Sequence, residues 1–153
     1  MSFIVRDAVD ADSEGVIRLI GDIFDEYDGM ILDVDREEPE LRAPASSFER
    51  FWVLERGGAV CGSIACTHEG DHLELKKMYL AKGVRGQGWG RRFIGLVEDH
   101  ARAVGVSRIE MWSDTRFETA HGVYAHLGYV RSLKTRDLHD LSNTTEYHFA
   151  KAL

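Results

Sequence analysis

Apolar and polar positions change their period several times along the chain, and each change predicts an element. Residues 2–6 read as a first strand. Asp10 or Asp12 stands where a helix cap belongs. Val16, Leu19, Ile20, Ile23, Phe24 and Tyr27 then fall at offsets 0, 3, 4, 7, 8 and 11, the spacing of an amphipathic helix. Between residues 28 and 47 the pattern lapses. This stretch holds Asp28, Asp33, Asp35, Glu37, Glu38 and Glu40 together with both prolines, Pro39 and Pro44. It predicts a long loop, or a short helix framed by loops. An irregular connection of that length is often a functional lid; a solvated acidic loop is the plainer alternative. Alternation resumes in residues 51–55 and 59–67, which form a hairpin around Arg56-Gly57-Gly58.

Gly70-Asp71 turns the chain into a strand over residues 72–80. Here Leu73 and Leu75 lie on one face, whereas Met78 and Leu80 lie on the other. A β-bulge near Lys76-Lys77 reconciles the two parities and opens a gap between neighbouring strands that could admit an extended ligand. Phe93, Ile94, Val97, Ala101 and Val104 give helical spacing, ended by Gly105. Residues 107–113 form a strand with Ile109 and Met111 inward. Thr115 and Glu118 fit a capping box ahead of a helix bearing Ala120, Val123, Tyr124 and Leu127, which Gly128 stops. Strands over 129–133 and 144–151 close the chain, joined by the polar run 136–143.

The order β, α, irregular, β, β, β, α, β, α, β, β specifies an α/β fold, a mixed sheet with helices on both faces. There is no repeat, low-complexity tract or linker, so residues 1–153 are expected to form one domain. With 44% hydrophobic and 29% charged residues, the chain has a globular composition. Its net charge of -7 argues against general affinity for nucleic acid or an anionic membrane, while leaving room for a local basic loop. Asp7, Asp10, Asp12 and Glu14 interrupt the start, where a secretory signal would need an apolar core. No apolar run approaches the roughly 20 residues of a membrane helix. A cytoplasmic protein is expected. Cys61 and Cys66 fall about 16 Å apart in one strand, beyond disulfide reach. The seven histidines show no zinc-like spacing with them, and no metal is expected.

The densest chemistry is Arg85-Gly86-Gln87-Gly88-Trp89-Gly90-Arg91-Arg92, between a strand and a helix. Alternate glycines there expose backbone N–H groups where a helix begins, and a helix N-terminus attracts phosphate. The P-loop Gly-Lys-Ser/Thr is absent, and Arg91 occupies the last glycine of the dinucleotide fingerprint. What remains is a pyrophosphate cradle of another kind, or simply a glycine-rich turn.

The spacing resembles the acyl-CoA loop of the GNAT superfamily of N-acyltransferases, Gln/Arg-x-x-Gly-x-Gly/Ala. A second motif lies at the right separation. In that family a helix reads Asn-x-x-Ala-x-x-hydrophobic-Tyr-x-x-x-Gly-Phe; here Ala120, Val123, Tyr124, Gly128 and Tyr129 match, and Phe117 replaces Asn. The resemblance is close over residues 50–130 and rests on element order elsewhere. It implies a mostly antiparallel central sheet, acetyl-CoA as cosubstrate, and N-acetyl transfer to a primary amine by direct attack in a ternary complex. It places Arg85, Gly86, Gln87, Gly88, Trp89, Gly90 and Arg91 at the pyrophosphate, and Phe117 on the CoA side. The resemblance also implies that a backbone N–H around Met78, Tyr79 and Leu80 faces the thioester oxygen, and it sets Tyr124 at the family's general-acid position.

The amine must lose a proton before it attacks. Glu74 precedes the bulge in a strand that the family sets beside the acceptor, in a Glu-hydrophobic-x-Lys context shared with some small-molecule acetyltransferases. Pairing with Lys76 is its alternative role. Asp114 is the reserve base, or a cap beside Thr115. The acidic segment 25–40 falls at the family's acceptor site, and its carboxylates favour a cationic amine, such as a polyamine, an aminoglycoside or a lysine side chain, with a small cationic molecule the expected acceptor. A non-catalytic acyl-CoA sensor, or an enzyme acting on protein lysine or N-terminal amines, shares the same loop. A homodimer is compatible with this reading.

Overall fold

A computed structural model describes residues 2–153. Strand β1 (Phe3–Asp7) leads into helix α1 (Ser13–Phe24). The acidic segment folds as two short helices, α2 (Val34–Glu37) and α3 (Pro44–Ser47), around a 3-10 turn at Pro39–Arg42. Then come β2 (Arg50–Arg56), β3 (Ala59–Glu69), β4 (His72–Leu80), α4 (Trp89–Ala103), β5 (Arg108–Asp114), α5 (Glu118–His126), β6 (Val130–Asp137) and β7 (Thr145–Ala152). The described residues form one seven-stranded sheet in the order β1-β2-β3-β4-β5-β7-β6. Every neighbouring pair is antiparallel except β4 and β5.

Alternation along the strands divides the core in two. Phe51, Val53 and Ala65 pack with Val16, Ile20 and Phe24 of α1. Their strand neighbours Trp52, Leu54, Ile64 and Cys66 face the other way, against Phe93, Ile94, Val97 and Ala101 of α4. Period-2 strands between period-3.6 helices therefore bury both faces of the sheet. Cys61 and Cys66 are both free thiols, and burial pushes the Cys66 thiol up to about 12. No helix among the described residues is long and apolar enough to cross a membrane.

The bulge foreseen in β4 falls at Lys77, whose φ is 54°. The register against β3 slips there, from Ala65 opposite Lys76 to Ser63 opposite Tyr79. The extra residue brings Met78 and Leu80 onto the face of Leu73 and Leu75, as the parity argument requires. Buried Ser63 donates its hydroxyl to the displaced Lys77 carbonyl at 2.8 Å, satisfying an acceptor that the ladder has lost. Strand β4 pairs with β5 only from Leu73 to Leu75. Beyond that point the two parallel strands part, and the chemistry of the molecule is concentrated at this opening.

Two expected caps form differently. Asp12 stands at the α1 N-cap, but its carboxylate is held by Arg6 and by the Val9 N–H. The Thr115–Glu118 box does not form, because α5 begins at Glu118 with Phe117 as its N-cap. Asp114 organises that corner instead: it accepts from the Arg116 N–H at 2.9 Å in an Asx turn and from the Arg116 guanidinium at 3.0 Å.

Candidate active site

Two cavities meet where β4 and β5 part. The first, about 650 Å³, is lined by the start of α4, by α5 and by the end of β4; the second, about 450 Å³, lies under the acidic segment and the β6–β7 loop. Met78, Tyr79, Phe117 and Tyr124 line both, so they form the boundary. An edge-on aromatic wall of Phe24, Tyr79, Phe117 and Tyr27 backs this junction, with neighbouring ring centroids 5.3 to 6.2 Å apart.

The glycine loop shapes the larger cavity. Gly88 is the N-cap of α4 at φ 85°, a left-handed conformation that L side chains rarely adopt. It turns the loop so that the first helical turn faces the cavity. The Arg92 N–H is the first to find a backbone partner, Gly88 O at 3.2 Å. Among the described residues the N–H groups of Trp89, Gly90 and Arg91 have none, and such orphan donors at a helix start suit an anion. Gly86, Gly88, Trp89, Gly90 and Arg91 all line this cavity, whereas Gln87 lines neither and turns back to the Gly83 carbonyl. The Arg85 guanidinium is held by Glu26 through two 2.7 Å contacts and donates to Leu80 O at 2.9 Å. Arg85 thus braces the loop against the turn that follows α1.

Because Gly88 alone of the Gly88/Gly90 pair needs a positive φ, Gly88→Val is the sharper test of the cradle. Forcing a β-branched residue into that region costs about 1–2 kcal/mol locally and misaligns the three donors. Acetyl-CoA affinity, read by calorimetry on a variant with unchanged circular dichroism, should fall about tenfold or more. Unchanged affinity would leave the glycines as a turn and nothing else.

At the opening, the Ala81 N–H donates to Cys61 O of β3 at 2.9 Å. By strand alternation the Leu80 N–H points away from β3, toward the gap left by β5. Tyr124 is buried. Burial pushes its phenol up to about 12, with a hydrogen bond to Ser113 opposing. The same Ser113 hydroxyl lies 3.0 Å from His121 Nε2.

The smaller cavity is lined by seven carboxylates, Glu37, Glu38, Glu40, Glu74, Asp114, Asp140 and Glu146, against three cations, Lys76, Lys77 and Arg136. Six of the seven are engaged. Glu38 and Glu40 hold Lys77, and Glu37 accepts from the Leu141 N–H. Asp114 holds Arg116, Asp140 caps Thr144, and Glu146 accepts from Arg136 Nε at 2.7 Å. Glu74 alone has no hydrogen-bond partner among the described residues; Lys76 Nζ stands 3.9 Å away. Glu146 was not foreseen. It lies opposite Asp114 on β7, and burial raises its carboxyl above the ordinary range. Arg136 opposes that rise, while Asp114 and Glu74 add to it.

The polar run 136–143 lines this cavity through Arg136, Leu138, His139, Asp140 and Ser142. Buried Ser142 accepts from the Ile31 N–H at 2.8 Å and donates to Ile31 O at 3.1 Å. Arg116 also donates to the Ser142 carbonyl. The acidic segment is thereby fastened to the β6–β7 loop where both line the cavity.

Residues 17–129 match the family described as "Acetyltransferase (GNAT) family". The chain belongs to the GNAT acetyltransferase family. A curated relative named "IAA acetyltransferase" from Azospirillum brasilense is 32% identical over 128 residues, covering 82% of this chain and 79% of the relative. "Uncharacterized N-acetyltransferase YjgM" of Escherichia coli is 27% identical over 128 residues, covering 77% of this chain and 76% of its own length. A GNAT acetyltransferase structure from Staphylococcus aureus superposes with a TM-score of 0.85 at 17% identity and covers 99% of both chains. YncA, a putative acetyltransferase from Salmonella typhimurium solved with its cofactor acetyl-CoA, has a TM-score of 0.74 at 16% identity, covering 100% of this chain and 95% of its own.

The protein is an acetyl-CoA-dependent N-acetyltransferase. Its residues fit that donor, with orphan N–H groups for the pyrophosphate and an apolar cavity leading to Tyr124. The mostly antiparallel sheet with helices on both faces, inferred from element order and resemblance, is the sheet found.

Proposed function

We propose that the enzyme acetylates the primary amine of a small cationic molecule. The observation that carries this reading is the division of labour at the opening: an apolar cavity with anion donors meets an acid-lined cavity, and Tyr124 stands at their boundary. The strap of Ser142 to Ile31 favours a small acceptor over a protein segment, because it ties two walls of the acid-lined cavity together.

In this reading the pyrophosphate is held by the N–H groups of Trp89, Gly90 and Arg91. The Leu80 N–H stabilises the thioester oxygen as negative charge develops on it. Glu74 holds the acceptor's ammonium and takes one of its protons, directly or through a water. Nitrogen then bonds to the acetyl carbon as the carbon–sulfur bond breaks, Tyr124 donates a hydrogen bond to the departing sulfur, and the second proton lost from nitrogen passes to that thiolate through water or the Tyr124 hydroxyl, leaving the amide and a free thiol. Glu146 and Asp114, each tied to an arginine, shape the electrostatic field.

A screen of amines with acetyl-CoA, following release of free thiol, tests the reaction. Acetyl-CoA alone should raise Tm by several degrees, since a ligand at a hundredfold excess over its Kd contributes about 2.7 kcal/mol. ATP and NAD should do much less. Stabilisation by ATP without stabilisation by acetyl-CoA would mean that the cradle has been misread.

A further inference from the structure

We propose that Lys77 sets the charge of the acceptor: its ammonium takes the place in the acceptor cavity that a second cationic group of a substrate would occupy. The enzyme therefore selects amines with one positive charge over diamines. This inference rests on the cavity being an amine site.

Lys77 is the bulge residue of β4, held at φ 54° although it is not a glycine. Its side chain lines the acceptor cavity and is 15% exposed, and Nζ pairs with Glu38 and Glu40, the latter at 3.3 Å. Burial works against the charge, but the two carboxylates outweigh it and hold the lysine above its ordinary value. Glu38 and Glu40 belong to the acidic segment that would otherwise attract a polycation. With Lys77 in place, their charge is spent inside the protein. The acceptor meets one carboxylate without a hydrogen-bond partner among the described residues, Glu74, whose nearest cation is Lys76 Nζ at 3.9 Å, and apolar surface from Phe24, Met30, Ile31 and Leu138. A second ammonium would have to displace Lys77 or lie desolvated without a partner, and either is costly.

Removing the Lys77 ammonium should vacate a two-carboxylate site that a diamine can fill. Lys77→Gly keeps the bulge, because glycine adopts its φ without strain, and Lys77→Arg keeps the charge. The probes are n-butylamine and 1,4-diaminobutane. Binding to the CoA-loaded protein is read by calorimetry, and kcat/KM is read with acetyl-CoA. Wild type should prefer the monoamine, and Lys77→Gly should shift the ratio toward the diamine by about tenfold or more. Adding Glu38→Gln and Glu40→Gln should cancel the shift, and Lys77→Arg should behave as wild type.

An unchanged ratio in Lys77→Gly overturns the proposal. So does an equal loss for both amines, which would make Lys77 a fastener of the acidic segment only. If neither amine binds to wild type or variant, the amine reading falls as well. If Lys77→Gly gains diamine binding while wild type turns over no amine, the Lys77 assignment stands and the proposed reaction falls.

Discussion

Tyr124→Phe is expected to lower kcat by about 10- to 1000-fold, the range of a positioned proton donor, with acetyl-CoA affinity changed much less. The variant removes one hydroxyl from a buried ring that packs edge-on against Phe149, with centroids 5.4 Å apart, so the fold should survive. With its pKa near 12 the phenol is protonated throughout the neutral range. It can thus donate at any pH where the amine reacts. A phenol that weak does not fully protonate a thiolate of ordinary pKa near 8.5. The effect is therefore carried mainly by a hydrogen bond to the developing charge on sulfur, and the dry boundary between the cavities, which raises the thiol as well, narrows the gap. Stopped-flow turnover and calorimetric acetyl-CoA affinity on the same preparation decide it. Normal turnover would reduce Tyr124 to a packing residue on the α5 stripe.

What could be read from the sequence was local. The bulge at Lys77 was legible because two apolar pairs of opposite parity lie within one strand, and only an inserted residue brings them to one face. The glycine loop was legible because Gly88 must turn left at a strand-to-helix junction. The destination of long side chains was not. Arg85 belongs to the phosphate motif, yet its guanidinium crosses to Glu26 on the turn after α1. Glu38 and Glu40 read as free charge for a substrate, yet the bulge aims Lys77 at both. Glu146 could not be found, because only the pairing of β5 with β7 sets it opposite Asp114, and that register depends on residues remote in the chain. The capping box failed for a related reason. Asp114 satisfies the Arg116 N–H before α5 begins, so Thr115 is left outside the helix start.

Glu74→Gln should abolish the rising acidic limb of kcat/KM against pH and lower the rate in the neutral range by about 100-fold or more, since it removes a proton acceptor while keeping shape. Acetyl-CoA binding should persist, because Glu74 lines only the acceptor cavity. The choice of Glu74 rests on elimination. It is the one carboxylate of the seven with no hydrogen bond from a described donor, Lys76 Nζ standing 3.9 Å away, so an incoming ammonium finds it available without breaking a hydrogen bond. Asp114 and Glu146 are its rivals, and each must release an arginine first. Asp114→Asn and Glu146→Gln are therefore the paired comparisons. Asp114→Asn should act chiefly on stability, at about 1 kcal/mol, by weakening the Asx turn ahead of α5. Glu146→Gln should shift the acidic limb by changing the field at Glu74, but should not erase it. If the limb survives in Glu74→Gln and disappears in Glu146→Gln, the proton goes to Glu146, whose buried carboxyl is already raised. If all three variants keep the limb, the amine loses its proton to solvent before it enters, and Glu74 serves only to hold the acceptor.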